Sequence, residues 1–296
     1  MQTKRQIQEL LESAGVRPNK RLGQHFLIDL NLMRLLVETA NINENDIVLE
    51  VGCGTGSLTG ELLKKAGIVI GVELDRTLVG LAKSSLGNAD NIEFINADVL
   101  KNKNTLSPAL ISLLESAREK YKGRVLLVAN LPYNVASPTM LNLITGPVAA
   151  DAMYVTVQKE VAERMTAEPG CGDYGTLSIF LSAAGDVKTI RILRPTVFWP
   201  QPKVDSAMVG FVRKEEKYRR IEDMALFGET VNLFMGHRRK TLSACSRLAR
   251  GRLTKIINWP EIFKRCDIDP TRRPEQLSSE DYIAIANLCS SSLTQA

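Results

Sequence analysis

Apolar residues recur along this chain in two periods. Strand-like runs rich in apolar and β-branched residues lie at 46–51, 68–73, 91–95, 125–130, 152–157, 187–193 and 205–212. Between most of them apolar residues return every three or four positions, as on one face of a helix. Asp29 predicts an N-cap for a helix carrying Leu32, Met33, Leu36, Val37 and Ala40 on one face. Ser107 and Pro108 predict a second start, with Leu110, Leu113, Leu114, Ala117 and Tyr121 as the apolar stripe and Gly123 as the stop. Strands alternating with helices imply an α/β fold built on a parallel sheet with right-handed crossovers. Residues up to about 28 read as a basic, irregular lead, and from about Glu222 the pattern is helical and strand-poor. The expected division is therefore 1–213 for the sheet domain and 214–296 for a small all-α domain.

The ends of the strands carry the candidate chemistry. The run 125–130 stops at Asn130-Leu131-Pro132-Tyr133. Pro132 fixes its own φ and pushes Leu131 toward extended backbone, so the carbonyls beside Asn130 are rigidly aimed. An Asn amide oxygen with a neighbouring backbone carbonyl can accept both hydrogens of an exocyclic amine, and Tyr133 offers a face on which a base can stack. The plain alternative is a proline turn after a core strand with a half-buried tyrosine. Gly52-Cys53-Gly54-Thr55-Gly56 follows the first strand, where missing Cβ atoms let backbone approach a ligand. Glu73, about twenty positions on at a strand end, is placed to accept from ribose hydroxyls, and Asp98 at the next strand end could accept from an adenine amine. Together these suggest an adenosine-containing cofactor. Glu50 either orders the glycine loop or simply ends its strand.

Composition narrows the classes. The 296 residues contain 44% hydrophobic and 24% charged side chains, which suits a globular protein with a sizeable core. The five cysteines lack CxxC spacing and there are two histidines, so neither a zinc site nor a disulfide framework is expected and the thiols read as reduced. No apolar run has the length of a membrane span. The first residues lack a signal-peptide core, and Glu9 and Glu12 argue against a transit peptide, so a cytoplasmic protein is expected. A net charge of +5 permits an anionic partner without requiring one.

Several spaced motifs occur in order: Lys20-x-Leu22-Gly23-Gln24-x-Phe26-Leu27, Glu50-Val51-Gly52-x-Gly54-x-Gly56, Val72-Glu73-Leu74-Asp75, Asn96-x-Asp98, Asn130-Leu131-Pro132-Tyr133, Gln158-Lys159-Glu160-Val161, Tyr174-Gly175-x-Leu177-Ser178, Phe198-x-Pro200-x-Pro202-Lys203-Val204-Asp205-Ser206 and Phe234-x-x-x-Arg238-Arg239-Lys240. As a set, spanning about 18 to 288, they resemble the small-subunit ribosomal RNA adenine dimethyltransferase family. The resemblance implies a Rossmann-like class I methyltransferase sheet with helices on both faces. It further implies S-adenosyl-L-methionine as cofactor, and dimethylation of N6 on two adjacent adenosines in the 3′-terminal hairpin loop of 16S rRNA, within a small-subunit precursor. By position it places His25, Leu27, Gly52, Gly54, Glu73, Asp98 and Asn130 at the cofactor. Asn130, Leu131, Pro132 and Tyr133 would meet the target adenine, with Phe198 stacking on its other side. His25 is a departure, because the family usually has Asn there; an imidazole can still make one hydrogen bond.

A base inside structured RNA must be extruded to reach such a site, so phosphate contacts must hold the rest. Between Glu229 and Glu261 there is no acidic residue, while Arg238, Arg239, Lys240, Arg247, Arg250, Arg252 and Lys255 are present. This face is expected to grip RNA, with Lys20, Arg21 and Lys203 nearer the reacting base; a solvated basic surface is the plain alternative. A monomer without metal is expected. A nicotinamide oxidoreductase would account for the glycine loop but not for Asn130 to Tyr133. A noncatalytic assembly factor, and a large-subunit rRNA methyltransferase of the antibiotic-resistance type, remain as alternatives.

Overall fold

The computed structural model describes residues 1–19 and 22–294. Its centre is a seven-stranded sheet of β1 (Ile47–Val51), β2 (Ile68–Glu73), β3 (Ile92–Asn96), β4 (Val125–Asn130), β5 (Ala152–Gln158), β6 (Gly185–Leu193) and β7 (Ser206–Arg213), in the order β3-β2-β1-β4-β5-β7-β6. The first five in that order pair in parallel, and β7 runs antiparallel to β5. All five residues of β1 and the first five of β4 are buried. Both faces of these strands are covered, which is why they read as near-continuous apolar runs, interrupted in β1 by Glu50, rather than as alternating ones.

The helices start where the sequence places them. In α2 (Leu30–Ala40) the Asp29 carboxylate accepts from the amides of Asn31 and Leu32, and all five apolar residues of the stripe are buried. In α3 (Pro108–Lys120) Ser107 caps and Leu110, Leu114 and Ala117 are buried. The expected irregular lead is wrong, since Lys4–Ser13 forms a helix, α1. Thr3 and Gln6 make a capping box, and Ile7 and Leu11, one turn apart, bury themselves in a small cluster with Leu78. Three apolar residues in a charged decapeptide, only two of which are buried, are a weak periodic signal; Leu78, which helps bury those two, comes from far along the chain.

Contacts divide the chain into two compact units. One comprises Met1–Ala162 and Lys188–Val212, the other Glu163–Val187 and Arg213–Ala296. The expected single segment 1–213 thus loses Glu163–Val187 to the second unit. The cause is the helix at Thr176–Ala184, seven of whose nine residues are buried. It packs on the helices Met224–Met235 and Ser279–Thr294, with Phe180 edge-on to Phe227. A helix apolar on nearly every side needs neighbours all round, and the later helices supply them.

Candidate active site

An open cavity of about 1030 Å³ lies over the carboxyl ends of β1, β2 and β4, where ligands of parallel α/β sheets bind. Its floor is the glycine turn after β1. Gly52 and Gly54 have φ of +81° and +57°, values that side-chain-bearing residues rarely adopt. Space excludes a side chain as well. A Cβ on Gly52 would sit 3.0 Å from the Pro132 ring, and one on Gly54 would sit 2.9 Å from the Phe26 ring. The proline of the β4 end is therefore wedged on the first glycine of the β1 end.

Glu73 is buried at the end of β2 and is held on both oxygens, accepting from the amide of Gly54 at 3.0 Å and of Asp75 at 2.9 Å. Burial raises its carboxyl above the ordinary value, against those two hydrogen bonds. Asp98 is exposed on the rim, where one oxygen accepts from the amide of Leu100 at 2.9 Å. Leu27 is buried in the wall.

Asn130 lines the same cavity. Its Nδ2 donates to the His25 carbonyl at 2.7 Å, and its Oδ1 accepts from the Thr156 hydroxyl. A carbonyl can only accept, so the amide is fixed with its nitrogen toward His25. The oxygen keeps a second lone pair. The His25 ring takes two further contacts, Nδ1 to the Pro200 carbonyl at 2.6 Å and a stack on Tyr133 with centroids 5.6 Å apart. Since Pro200 O is an acceptor, Nδ1 carries the proton. His25 thus joins the Asn130 amide, the Tyr133 ring and the turn at Pro200.

Tyr133 is partly buried, its hydroxyl 2.7 Å from the Ser206 Oγ. Burial raises its phenol, so it stays protonated at neutral pH. Leu131 is 1% exposed and can offer only backbone; its amide donates to the Thr156 carbonyl. The expectation for Phe198 fails. It pairs with Leu27 in a two-stranded ribbon and is 1% exposed, in a core cluster with Leu27, Tyr154 and Met208. An apolar ring on a strand with core below it is buried, and the ring that stacks on Tyr133 is the His25 imidazole.

The basic face of the second unit is only partly free. Arg238 pairs with Glu275 at 2.9 Å and donates to the Gly172 carbonyl, and Arg252 pairs with both Asp223 and Glu229 at 2.7 Å. The run between Glu229 and Glu261 lacks acid in sequence, but folding brings acid from its borders and beyond. Arg239, Lys240 and Arg247 are exposed without an ion pair among the described residues, and so is Lys203 in the first unit. Lys20 and Arg21 lie outside the described residues.

Sequence reasoning missed Thr156, which holds the Asn130 oxygen, and Ile7, which reaches the cavity from α1. A threonine inside a wholly buried strand carries no periodic signal. Ser206 and Pro200 stood in a recognised motif, and their roles toward Tyr133 and His25 needed coordinates.

Comparison with known proteins identifies the family. The family model for ribosomal RNA adenine dimethylase matches residues 15–289. The ribosomal RNA small subunit methyltransferase A of Alkaliphilus oremlandii is 37% identical over 284 residues, 96% of each chain, and that of Geobacillus sp. (strain WCH70) is 35% identical over 283 residues, 94% of each. Among solved structures, a dimethyladenosine transferase from Plasmodium falciparum superposes with a TM-score of 0.71 at 25% identity, covering 89% of this chain and 97% of that one. The 23S rRNA methyltransferase ErmE shares the fold, with a TM-score of 0.59 at 22% identity, over 90% of this chain and 99% of its own. With the glycine turn, the buried acid of β2 and the Asn130 loop facing one cavity, the chain belongs to the ribosomal RNA adenine dimethylase family.

Proposed function

We infer that this protein transfers methyl groups from S-adenosylmethionine to N6 of two adjacent adenosines in the 3′-terminal hairpin loop of 16S rRNA, acting as a cytoplasmic monomer on a small-subunit precursor. The observation that carries the reading is the wedge of Pro132 on Gly52, which holds the Asn130 amide in the cavity of the glycine turn and Glu73. That cavity fits the donor: a glycine floor that a Cβ would fill, a buried carboxylate with spare lone pairs for sugar hydroxyls, and a rim acid at Asp98 for the adenine amine. His25, Leu27, Gly52, Gly54, Glu73, Asp98 and Asn130 are its proposed contacts. Bound S-adenosylmethionine supplies an electrophilic methyl on a sulfonium.

The chain's own task is to aim the acceptor. An adenine N6 lone pair is delocalised into the ring, and attack requires the nitrogen to become tetrahedral as positive charge grows on it. The free lone pair of the Asn130 oxygen and the backbone carbonyls beside Leu131 and Pro132 would accept the N6 hydrogens and favour that geometry. The Thr156 and His25 bonds keep the amide from turning, so little reorganisation remains at the moment of transfer. Tyr133, with His25 behind it, is the aromatic surface for the extruded base. The nitrogen attacks neutral and loses its proton afterward, so no general base is needed before transfer. Lys203, Arg239, Lys240 and Arg247 are the proposed phosphate contacts, with Lys20 and Arg21; Arg238 is assigned mainly to the fold.

Undermethylated small subunits incubated with the protein and labelled S-adenosylmethionine should yield N6,N6-dimethyladenosine at two adjacent positions. Label on large-subunit rRNA alone, or none, would reject the assignment.

A further inference from the structure

Three carboxyl groups line the cavity, Glu50, Glu73 and Asp98, and no lysine or arginine does so among the described residues. Glu73 and Asp98 have backbone amides as partners. Glu50 differs. It is 2% exposed, and its Oε2 has no hydrogen-bond partner, a rare state for a buried carboxyl oxygen that asks for an explanation. Burial above all pushes its carboxyl up to about 8, and the Glu73 charge adds to the rise; the Thr59 hydroxyl pulls the other way but stands outside hydrogen-bond geometry, itself without a partner. The groups around it supply no cation. Cys53 is a buried thiol itself pushed well up by burial, Thr59 is neutral, and Glu73 is acidic. His25 and Asp98 complete the titratable set on the cavity wall. Such a carboxyl holds a proton in the unfilled site at neutral pH and sheds it when a fixed positive charge arrives.

We propose that Glu50 tells the methyl donor from the spent donor, losing a proton when the sulfonium form binds and keeping it when the neutral thioether form is bound. The proposal rests on the cofactor reading above. Donor and product share the adenosine and a zwitterionic end whose ammonium and carboxylate offset each other in both, and differ by one methyl and one positive charge at sulfur. A site that recognised only the shared groups would hold the product as firmly as the donor. With Glu50 as charge sensor, loading sends one proton to solvent and leaves a carboxylate facing the sulfonium. After transfer the charge is on the methylated N6, which loses its own proton to solvent. Glu50 then takes a proton back from solvent, the electrostatic part of the hold vanishes, and the product leaves. The cycle releases one proton in total, as the chemistry requires.

Calorimetric titration of the full chain at pH 6.5, in two buffers of different ionisation heat, counts these protons. S-adenosylmethionine and sinefungin, an analogue with a cationic amine near the sulfur position, should each release close to one proton, and S-adenosylhomocysteine close to none. Between pH 6 and 7.5 the affinity for S-adenosylmethionine should rise several-fold per pH unit, while that for S-adenosylhomocysteine stays flat. Glu50→Gln should abolish the release and cut the preference for donor over product about tenfold, one pKa unit of lost differential interaction. Equal proton counts for donor and product in the unaltered protein overturn the proposal whatever the variant does, and so does full release by Glu50→Gln, which would move the proton to Glu73. Failure of all three ligands to bind would instead reject the cofactor reading.

Discussion

The wall of the cavity and the basic face of the second unit are both charged, and they use charge in opposite ways. At the cavity the ionisable groups are few and deep. Glu50 is buried with an open oxygen, and Glu73 is buried with both oxygens held by amides. On the second unit they are many and shallow, and the fold sorts them: Arg252 is shared between Asp223 and Glu229, Arg238 goes to Glu275, and Arg239, Lys240 and Arg247 stay open to solvent. Depth makes a single carboxyl count, because little water screens it. Exposure makes the number of unpaired cations count, because any cation that meets a nucleic-acid phosphate displaces about one counterion.

The deepest test of the contrast is Asn130→Ala, which removes one fixed amide and leaves the charges alone. Methyl transfer should fall by about 10²- to 10³-fold, in line with loss of one preorganised polar partner, with a smaller loss of S-adenosylmethionine affinity; single-turnover kinetics on undermethylated subunits would measure both. Near-normal turnover would remove the amide from the mechanism. Next in size is neutralisation of Arg239, Lys240 and Arg247 together, which should weaken RNA binding uniformly and lower the salt slope by about 2 to 3. Binding at several salt concentrations gives the slope, and an unchanged slope would return that face to plain solvent.

Arg252→Ala sharpens the other side. It should leave the salt slope nearly unchanged and cost stability instead, about 1 kcal/mol or less because both ion pairs are partly exposed. Arg252 holds the Asp223 carboxyl below its ordinary value. A depressed carboxyl contributes stability that is present above its unfolded-state pKa and lost as pH falls through the folded one. The gap between Arg252→Ala and the unaltered protein in chemical denaturation should therefore be full at pH 7 and close below about pH 4. The smallest effect belongs to Tyr133→Phe, which deletes the hydroxyl bonded to Ser206 and keeps the ring. About 1 kcal/mol of stability and less than tenfold in rate are expected. A larger rate loss would give the phenol a role that stacking does not explain.

Much of the site was legible because its signals are local. A glycine turn after an apolar run, an acid at the next strand end and a proline after Asn130 each constrain the backbone within a few residues, and the structure brings all three to one cavity. What was hidden depends on partners distant in sequence. Ile7 and Leu11 acquire meaning only beside Leu78, and Thr156 only beside Asn130. Phe198 looked available in a proline-rich segment, but a two-residue ribbon with Leu27 turns it into the core. The acid-free stretch before Glu261 failed as a charge map for the same reason, since Asp223 and Glu275 lie outside it. The helix Thr176–Ala184 moved between units because unbroken apolarity says that a segment is surrounded and not by what.

The 3.0 Å approach of Pro132 to the space above Gly52 has a practical bearing on redesign. The strand end at Pro132 and the turn at Gly52 behave as two teeth of one gear. A library that diversifies either stretch alone will mostly score jammed teeth, and new acceptor specificity should be sought by varying residues 52 and 132 as a pair.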